Sequence, residues 1–371
     1  MKIGIILAFK ESMQVMEDVG QTDRFLRYYV KEYSNSFDKV YVFSWKNEKY
    51  DFPFENVVLI PNPGWNVYLY NFVLPFLHAA TLKACSVLRL MQYTAILPAA
   101  ITKLRYNIPI VATYGFPYGD FLRVKTRYVK SVLWETVERL TRSSVDYFIV
   151  TYPGTVSYLK THGVSQKKFV HIPNGTDTSL FTPQEKKYKS TEVLRLLFIG
   201  RFSPEKNVVN LAKGIAQSHL KDKPSLTMVG DGLLKEDVEK VLRANSIAYR
   251  IIHHLPHTAL PTIYRNADIF LLPSKAEGMP KVLLEAMSAG LPSIVGKYPG
   301  HESFAKDGYN ALVCGHSPRE IGGAIEMLAK DKALRLRLGY NAREYVSKSY
   351  DLPKLVKKEI ALLHHVASQD C

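Results

Sequence analysis

Short apolar runs rich in β-branched residues alternate with longer amphipathic segments along most of this 371-residue chain. The runs lie at 2–9, 39–45, 108–115, 147–153, 194–200, 225–230, 267–274 and 291–296. The helical patterns between them include 22–35, 121–144, 205–220, 233–245 and 318–330. Such an alternation predicts right-handed βαβ units, in which helices cover both faces of a parallel sheet. The expected fold class is therefore α/β with parallel sheets.

The alternation is interrupted at 176–193. This segment is polar, contains Pro183 and carries a cluster of lysines, all of which are typical of a linker. The length of the chain also suits more than one domain. We therefore expect two Rossmann-like domains, an N-terminal one at 1–180 and a C-terminal one at 181–351.

The chain carries a formal net charge of +15. A basic protein of this kind favours acidic partners, which include nucleic acids, anionic lipid headgroups and phosphorylated substrates. Nucleic-acid binding is disfavoured, because the sequence has no helix-turn-helix, zinc or RNP-type signature and mixes its basic residues with glutamates along the helices. The positive net charge is therefore interpreted as favouring phosphorylated substrates or anionic lipid surfaces.

Three cysteines, Cys85, Cys314 and Cys371, are scattered without CxxC spacing. This pattern is typical of a reducing compartment, and it argues against a disulfide framework or a zinc site. The apolar run at 2–9 is too short for a signal peptide and is interpreted as a first buried strand. The sequence therefore predicts a cytoplasmic protein.

Two glutamates eight positions apart stand out in SKAEGMPKVLLEAMSAGLPSIVG at 274–296. Pro280 suits the first position of a helix, and Gly290 suits its far end. Glu277 is therefore expected in the loop between a buried strand and this helix. Glu285 is expected inside the helix.

The first turn of such a helix is a natural site for an anion. Its amides, from Gly278 to Val282, have no intrahelical partners and carry the positive end of the helix dipole, so a diphosphate is the natural occupant. Helical side chains lean toward the N-terminus, which lets the Glu285 carboxylate reach a ribose diol beside the phosphates. Glu277 can face a group on the other side of the phosphates. The alternative is a capped helix that carries two solvated glutamates.

A second candidate element is GRFSPEKNV at 200–208. Gly200 ends a predicted strand, and Arg201 and Lys206 place two cations in the loop that follows. Open parallel sheets bind anions at the carboxyl ends of their strands. An ordinary solvated loop is the alternative. No Asp-x-Asp pair ends a predicted strand, so no metal cofactor is expected.

Five segments in this order resemble the retaining family-4 glycosyltransferases of the GT-B fold, also called glycosyl transferases group 1. They are IPNGTDTSLFTP (172–183), LLFIGRFSPEKNV (196–208), LTMVGDG (226–232), YRNADIFLLPSKAEGMPKVLLEAMSAGLPSIVG (264–296) and DGYNALVC (307–314). The resemblance implies two Rossmann-like domains that face each other across a cleft. The nucleotide sugar would lie on the C-terminal domain and the acceptor mainly on the N-terminal one. A last helix, at about 352–371, would cross back onto the first domain.

The same resemblance implies a role for each residue of the donor site. Arg201 and Lys206 would hold the diphosphate, and Glu277 would lie near the hydroxyls of the transferred sugar. These three are the candidate catalytic residues, while Glu285 would bind the ribose. Further donor contacts would come from Gly200, Gly278, Met279, Pro280, Lys281, Val282, His254, Leu255, Gly20 and Gln21.

The segment VATYGFPYGD at 111–120 departs from the family, because many relatives carry a histidine there. Tyr114, Tyr118 or Asp120 would then face the sugar on the acceptor side. An aromatic-rich turn that packs a helix is the alternative interpretation of this segment.

The function implied by the resemblance is retaining transfer of a hexosyl group from a UDP- or GDP-linked sugar, without a metal. The departing phosphate would help to accept the proton of the acceptor, on the same face of the sugar. A glycan or lipid-linked acceptor, used in polysaccharide or glycolipid biosynthesis, is expected. Two alternatives are an inactive nucleotide-sugar-binding subunit and a nucleotide-sugar epimerase of the same fold.

An aromatic run at 65–82 is followed by a basic stretch at 83–130, in which eight basic residues stand against the single acid Asp120. The run has about the length of a membrane span but is interrupted by polar residues, so it is interpreted as a buried or an interfacial helix. Basic residues beside aromatic ones suit an anionic bilayer. Residues 65–130 are therefore expected to contact the inner face of a membrane. The alternative is a solvated basic face over a buried helix.

Overall fold

The computed structural model describes residues 1–119, 122, 127–184, 193–253 and 255–369. The chain divides into two compact units. Met1–Pro173 and Pro353–Cys371 form the first unit, and Asn174–Leu352 forms the second.

The described residues of the first unit form a seven-stranded parallel sheet of order β3-β2-β1-β4-β5-β6-β7. Its strands are β1 (Lys2–Ile6), β2 (Lys39–Phe43), β3 (Val57–Ile60), β4 (Val87–Leu90), β5 (Ile110–Tyr114), β6 (Tyr147–Val150) and β7 (Phe169–His171). In the register, Ile3 lies between Val40 and Val87. Strands β4 and β5 are buried along their whole length, as expected when helices cover both faces of a parallel sheet.

The first unit has helices in the connections between its strands, except from β2 to β3. They are α1 (Met13–Asp18), α2 (Thr22–Arg24), α3 (Lys31–Ser36), α4 (Val67–Leu77), α5 (Ala79–Lys83), α6 (Ile96–Tyr106), α7 (Tyr128–Thr141) and α8 (Pro153–Thr161). A π-helical stretch, Phe25–Val30, joins α2 to α3. Helix α4 begins after Asn66, whose side chain accepts a hydrogen bond from the Tyr68 amide and so satisfies one of the free donors of the first turn.

The described residues of the second unit form a six-stranded parallel sheet of order β10-β9-β8-β11-β12-β13. Its strands are β8 (Arg195–Ile199), β9 (Ser225–Val229), β10 (Tyr249–Ile252), β11 (Ile269–Leu272), β12 (Ser293–Gly296) and β13 (Leu312–Cys314). Its helices are α9 (Val208–Gln217), α10 (Lys235–Ala244), α11 (Leu260–Arg265), α12 (Lys281–Ser288), α13 (Pro318–Lys330) and α14 (Lys332–Ser349). Both units are therefore parallel α/β structures, which confirms the predicted fold class.

Short 3-10 turns complete several connections. They lie at Tyr93–Ala95, Arg142–Ser144, Gln166–Lys168, Pro204–Lys206, His257–Ala259 and His301–Ser303. Two of these turns, Pro204–Lys206 and His257–Ala259, carry residues of the candidate site described below.

The last helix, α15 (Leu352–Gln369), is part of the first unit although it follows the second unit in the sequence. Its Glu359 is buried and accepts hydrogen bonds from the hydroxyl of Tyr33 on α3 and from Nε of Arg89 on β4. This buried charged group connects the helix to the sheet.

The first unit ends before the predicted boundary at residue 180. Thr176 pairs with Asp351, and Phe181 is fully buried in the core of the second unit. Residues 176–181 therefore pack with the second sheet, where Phe181 and the adjoining Leu180 contribute to the core.

No helix within the described ranges combines the length and the apolar composition that crossing a membrane requires. Helix α4, which covers most of the aromatic run at 65–82, contains Pro75 and buries Tyr70 and Leu74 while it exposes Phe72 and other large side chains.

Candidate functional site

The second sheet reverses its strand order between β8 and β11. In open parallel sheets, ligands bind outside the carboxyl ends of the strands at such a reversal. The chain leaves β8 through Gly200 and leaves β11 through Pro273, so both loops start at this edge. The sheet therefore brings together the two loops in which the sequence predicts cations and glutamates.

The loop after β8 is held against the loop after β9 by close backbone packing. The amide of Phe202 donates to the carbonyl of Asp231 at 2.8 Å. A Cβ atom on Gly230, whose φ is +135°, would lie 2.1 Å from the carbonyl oxygen of Gly200. Only glycine allows this approach, which fixes the start of the loop that carries Arg201 and Lys206.

Lys206 and Glu277 are in direct contact. The Lys206 Nζ donates to Oε1 of Glu277, and both side chains are mostly buried, with 15% and 10% of their surface exposed. Oε1 also accepts a hydrogen bond of 2.7 Å from Ser274 Oγ. Lys206 and Glu277, which are 71 positions apart in the sequence, thus form an ion pair at the switch point of the sheet, where its strand order reverses.

Helix α12 starts directly after this ion pair. Pro280 is its N-cap residue, in extended conformation, and the helix begins at Lys281. The sequence predicts Pro280 as the first helical residue. Its backbone is extended and not helical, so the helix starts one residue later than predicted. A Cβ atom on Gly278 would meet no atom of the described residues within 4 Å, so among them the backbone before the helix has open space beside it. Met279 and Val282 are half-buried against the core.

The Glu285 side chain points into the protein and is only 3% exposed. The Tyr264 hydroxyl donates to its Oε2 at 2.9 Å, and His257 Nε2 lies 3.2 Å from its Oε1. When Nε2 donates, His257 Nδ1 becomes an acceptor, and this buried atom has no hydrogen-bond partner among the described residues. Because an ionised carboxylate can accept about four hydrogen bonds, Glu285 keeps acceptor capacity beyond these two.

Tyr264, His257 and Ser274 are residues that the sequence reasoning missed. Tyr264 is fully buried, and burial together with the nearby Glu285 carboxylate raises its pKa well above the usual range. Its hydroxyl also lies 3.0 Å from the carbonyl oxygen of Val282. A tyrosine in a short apolar helix carries no sequence signal of this contact, because its partner is 21 positions away.

The remaining donor-side residues of the second unit are placed as follows. Arg201 has an exposed side chain whose guanidinium lies 3.5 Å from the carboxylate of Glu205. Leu255 is half-buried against the core, next to the turn that carries His257. His254 lies outside the described residues.

Gly20 and Gln21 lie in the first unit at the end of α1. Gly20 has a φ of +67°, and its amide donates to the carbonyl of Glu17. The amide of Gln21 donates to the carbonyl of Met16. These bonds close the helix end, and a positive φ favours glycine at that position.

The acceptor-side candidates belong to an aromatic cluster at the end of β5. Tyr114 is almost fully buried, and its hydroxyl donates to Oε1 of Glu138 at 2.7 Å. Tyr118 is half-buried and meets the edge of the Trp134 ring, with 5.2 Å between ring centroids. Both tyrosines line one small pocket. Asp120 lies outside the described residues.

The charges at the switch point of the second sheet suit an anionic ligand. Three groups follow the neighbouring strands β8 and β11: the lysine paired with Glu277, the exposed Arg201 and the amino end of α12. Groups of this kind stabilise phosphate oxygens. Among the described residues, no group of three or more His, Cys, Asp or Glu side chains is arranged to hold a metal ion.

Two family profiles match successive parts of the chain. The one described as "Glycosyltransferase Family 4" matches residues 23–180, and the one described as "Glycosyl transferases group 1" matches residues 182–345. Together they extend from residue 23 to residue 345.

Curated relatives show a similarity of moderate extent. An *Escherichia coli* protein, UDP-Gal:alpha-D-GlcNAc-diphosphoundecaprenol alpha-1,3-galactosyltransferase, is 29% identical over 53% of this chain and 54% of its own length. An uncharacterized glycosyltransferase of *Methanocaldococcus jannaschii* is 27% identical over 60% of this chain and 59% of its own. The matched part of the chain therefore spans little more than half the length of these relatives.

Solved structures match nearly the whole chain. *Anabaena* HepE in complex with UDP and glucose has a TM-score of 0.74 at 15% identity, and the match covers 98% of this chain and 100% of that one. Sucrose-phosphate synthase from *Thermosynechococcus elongatus* has a TM-score of 0.76 at 19% identity and covers 99% of both chains. These structures share the GT-B fold with this protein. From the two successive family matches and this fold, we conclude that the chain belongs to the family 4 glycosyltransferases, group 1.

Proposed function

We propose that the protein is a retaining glycosyltransferase that moves a sugar from a UDP- or GDP-linked donor to a glycan or lipid-linked acceptor. The observation that carries this proposal is the Lys206–Glu277 contact at the strand-order reversal, immediately before α12. It joins a phosphate-binding cation to a carboxylate that can bind sugar hydroxyls. The *Escherichia coli* relative, whose name describes transfer from UDP-Gal to a lipid-linked diphosphate sugar, supports the same class of substrate.

The donor would bind with its diphosphate at the amino end of α12. Arg201, which is exposed, would approach the phosphates from the β8 loop, and Lys206 from beside Glu277. Glu285 would accept from the ribose hydroxyls. Its partners, the buried Tyr264 and the half-buried His257, hold the carboxylate in one orientation, which lowers the entropy lost when the ribose binds.

The chemistry follows from the charge that develops in the transition state. As the glycosidic bond breaks, negative charge grows on the diphosphate and the sugar becomes oxocarbenium-like. Arg201, Lys206 and the helix amides would stabilise the leaving group, because donors and cations placed before the reaction stabilise developing charge without reorganisation. Glu277, fixed by Lys206 and Ser274, would orient the sugar hydroxyls. The departing phosphate would accept the proton of the acceptor hydroxyl on the same face, which retains the configuration.

Calorimetric titration with UDP and GDP, followed by turnover of the corresponding sugar nucleotides, tests the proposal. We expect one nucleotide to bind and its sugar to be transferred with retention to a sugar or a lipid diphosphate acceptor. A protein that binds neither nucleotide would contradict the proposal. Binding without transfer would favour the inactive subunit, and conversion of the donor sugar without transfer would favour the epimerase.

A further inference from the structure

Helix α7 is amphipathic, but it buries polar side chains and exposes apolar ones, which is the reverse of an ordinary surface helix. The side chains that it buries are polar and comprise Ser131, Glu138 and Thr141. The large apolar side chains Tyr128, Val129, Val132, Leu133 and Leu140 are exposed, together with Lys130, Thr136 and Arg139. Val129 and Leu133 are 75% and 62% exposed. A surface helix normally buries its apolar stripe, so this helix presents to the outside the face that requires cover.

Helix α4 exposes a similar stripe. Leu69, Phe72 and Phe76, spaced three and four positions apart on one helical face, are each about half exposed. Trp65 and Tyr68 extend this stripe at the start of the helix, and both are exposed. The helix itself contains no charged residue.

These two helices belong to one layer on the same side of the first sheet. Helix α4 packs against α6, where the Tyr106 hydroxyl donates to the carbonyl of Pro75 at 3.2 Å, and α6 packs against α7. Leu104 of α6, which is 84% exposed, lies in the same layer. We define the α4–α6–α7 surface as the exposed side chains of these three helices, together with Trp65 and the basic residues around them.

Basic side chains surround the aromatic ones on this surface. The Arg105 guanidinium lies 5.1 Å from the ring centre of Phe76, and the Lys10 ammonium lies 4.5 Å from that of Tyr68. The Tyr68 pKa is lowered by its hydrogen bond from Lys10 and by the charges of Lys130 and Arg127.

Acidic residues are scarce in this part of the chain. Residues 62–145 contain ten basic residues, of which Arg89 is buried, and three acidic ones, Asp120, Glu135 and Glu138. Glu138 is buried, and Glu135 is half-buried and accepts a hydrogen bond from Ser131. Exposed aromatic and aliphatic side chains framed by basic residues are complementary to a lipid surface that carries negative headgroups.

We propose that the α4–α6–α7 surface binds an anionic bilayer, with the apolar side chains of α4 and α7 inserted among the lipids and the surrounding basic residues at the headgroups. This inference extends the sequence-based expectation for residues 65–130, because it adds the exposed face of α7 as a second point of insertion. It does not depend on the proposed sugar transfer.

Co-sedimentation with vesicles tests this proposal directly. We expect the full-length protein to sediment with vesicles of equal parts phosphatidylcholine and phosphatidylglycerol and to remain in solution with pure phosphatidylcholine. Binding should weaken as salt is added, because salt screens the attraction between basic residues and headgroups. Absence of sedimentation with the anionic vesicles would overturn the proposal.

Paired substitutions locate the binding surface. We expect Leu69→Ser with Phe72→Ser on α4, and Val132→Ser with Leu133→Ser on α7, each to lower the vesicle partition coefficient by about tenfold or more. The matched control is Leu233→Ser with Leu336→Ser, two exposed leucines of the second unit, which should bind as the unchanged protein does. Unchanged thermal unfolding of all three variants would show that each is folded.

Arg127→Gln with Lys130→Gln tests the role of charge. This variant should bind anionic vesicles more weakly and respond less steeply to salt. If the α4 and α7 variants bind as tightly as the control, the proposal is wrong. It is also wrong if these variants dissociate a dimer in size-exclusion chromatography while none of the proteins binds vesicles, since the surface would then be covered by a second copy.

Discussion

Arg89 on the central strand β4 donates from Nε to Oε1 of Glu359 at a distance of 2.7 Å, although 270 positions separate the two residues. Both side chains are almost completely buried, at 2% and 4% exposure. The Tyr33 hydroxyl donates to the same carboxylate oxygen. The pair connects α15 to the middle of the first sheet.

Glu359→Gln should destabilise the protein by about 3–5 kcal/mol, because it leaves the Arg89 charge buried without a counter-charge. Urea unfolding followed by tryptophan fluorescence measures this change. Arg89→Met combined with Glu359→Met should cost less than Glu359→Gln alone, since no buried charge remains. Glu239→Gln, which removes the half-buried partner of the exposed Arg243, is the control and should have little effect. Equal stability of Glu359→Gln and the unchanged protein would contradict the structure.

Arg201→Ala and Lys206→Ala should each lower kcat/KM by an amount equivalent to about 2–4 kcal/mol of transition-state stabilisation. Arg201 is exposed, so its substitution should leave the free energy of unfolding unchanged. Steady-state kinetics with the sugar nucleotide that is turned over gives the measurement. Lys213→Ala, an exposed lysine of α9, is the control for a general loss of positive charge. Unchanged kcat/KM in both variants would refute the assignment of these cations.

Tyr264→Phe removes the hydroxyl that donates to Glu285 and leaves a buried carboxylate with one polar contact fewer. We expect a loss of about 1–3 kcal/mol in the free energy of unfolding. The Kd for the nucleotide should also rise, because the orientation of Glu285 is less restricted. Tyr249→Phe, whose exposed hydroxyl contacts Arg243, should change neither quantity. If Tyr264→Phe binds the nucleotide with an unchanged Kd, the proposal that Glu285 binds the ribose is wrong.

Burial raises the pKa of the Glu138 carboxyl, whose Oε1 accepts from Tyr114. The folded protein therefore holds the carboxyl proton of Glu138 more tightly than the unfolded chain does, in which glutamate titrates at about pH 4.3. It follows that the contribution of Glu138 to stability is greatest below that pH and is lost as the pH rises through the raised pKa.

Glu138→Gln tests this dependence, because the glutamine amide can still accept from Tyr114 and does not titrate. Urea unfolding of both proteins across a pH series gives the difference between their free energies of unfolding. We expect the unchanged protein to lose stability relative to Glu138→Gln as the pH increases. A difference that is constant with pH would show that the carboxyl has its ordinary pKa.

The strands that the sequence predicted are those in which apolar and β-branched residues follow one another without interruption, such as β1 and β11. Other strands escaped notice for physical reasons. β4 carries Arg89 in its centre, and this charge interrupts the apolar run that normally indicates a buried strand. β7 has only three residues, Phe169–His171, which is too short for any periodicity to appear.

The site was predictable where its function rests on the backbone and on sequence spacing. The loops that carry Arg201, Lys206 and Glu277 follow from strand ends and helix starts. The Lys206–Glu277 contact did not follow, because it depends on the order of strands in the sheet. The exposed apolar face of α7 was also not foreseen, since the helical period of 121–144 predicts that the apolar face packs inward.

The terminal helix is the last part of the first unit to be synthesised, because the whole second unit, Asn174–Leu352, precedes it. During translation, Arg89 therefore has no buried counter-charge until Glu359 has been synthesised. A stop codon between Leu352 and Glu359 would leave every residue of the second unit in place and would remove the counter-charge of Arg89 from the first unit.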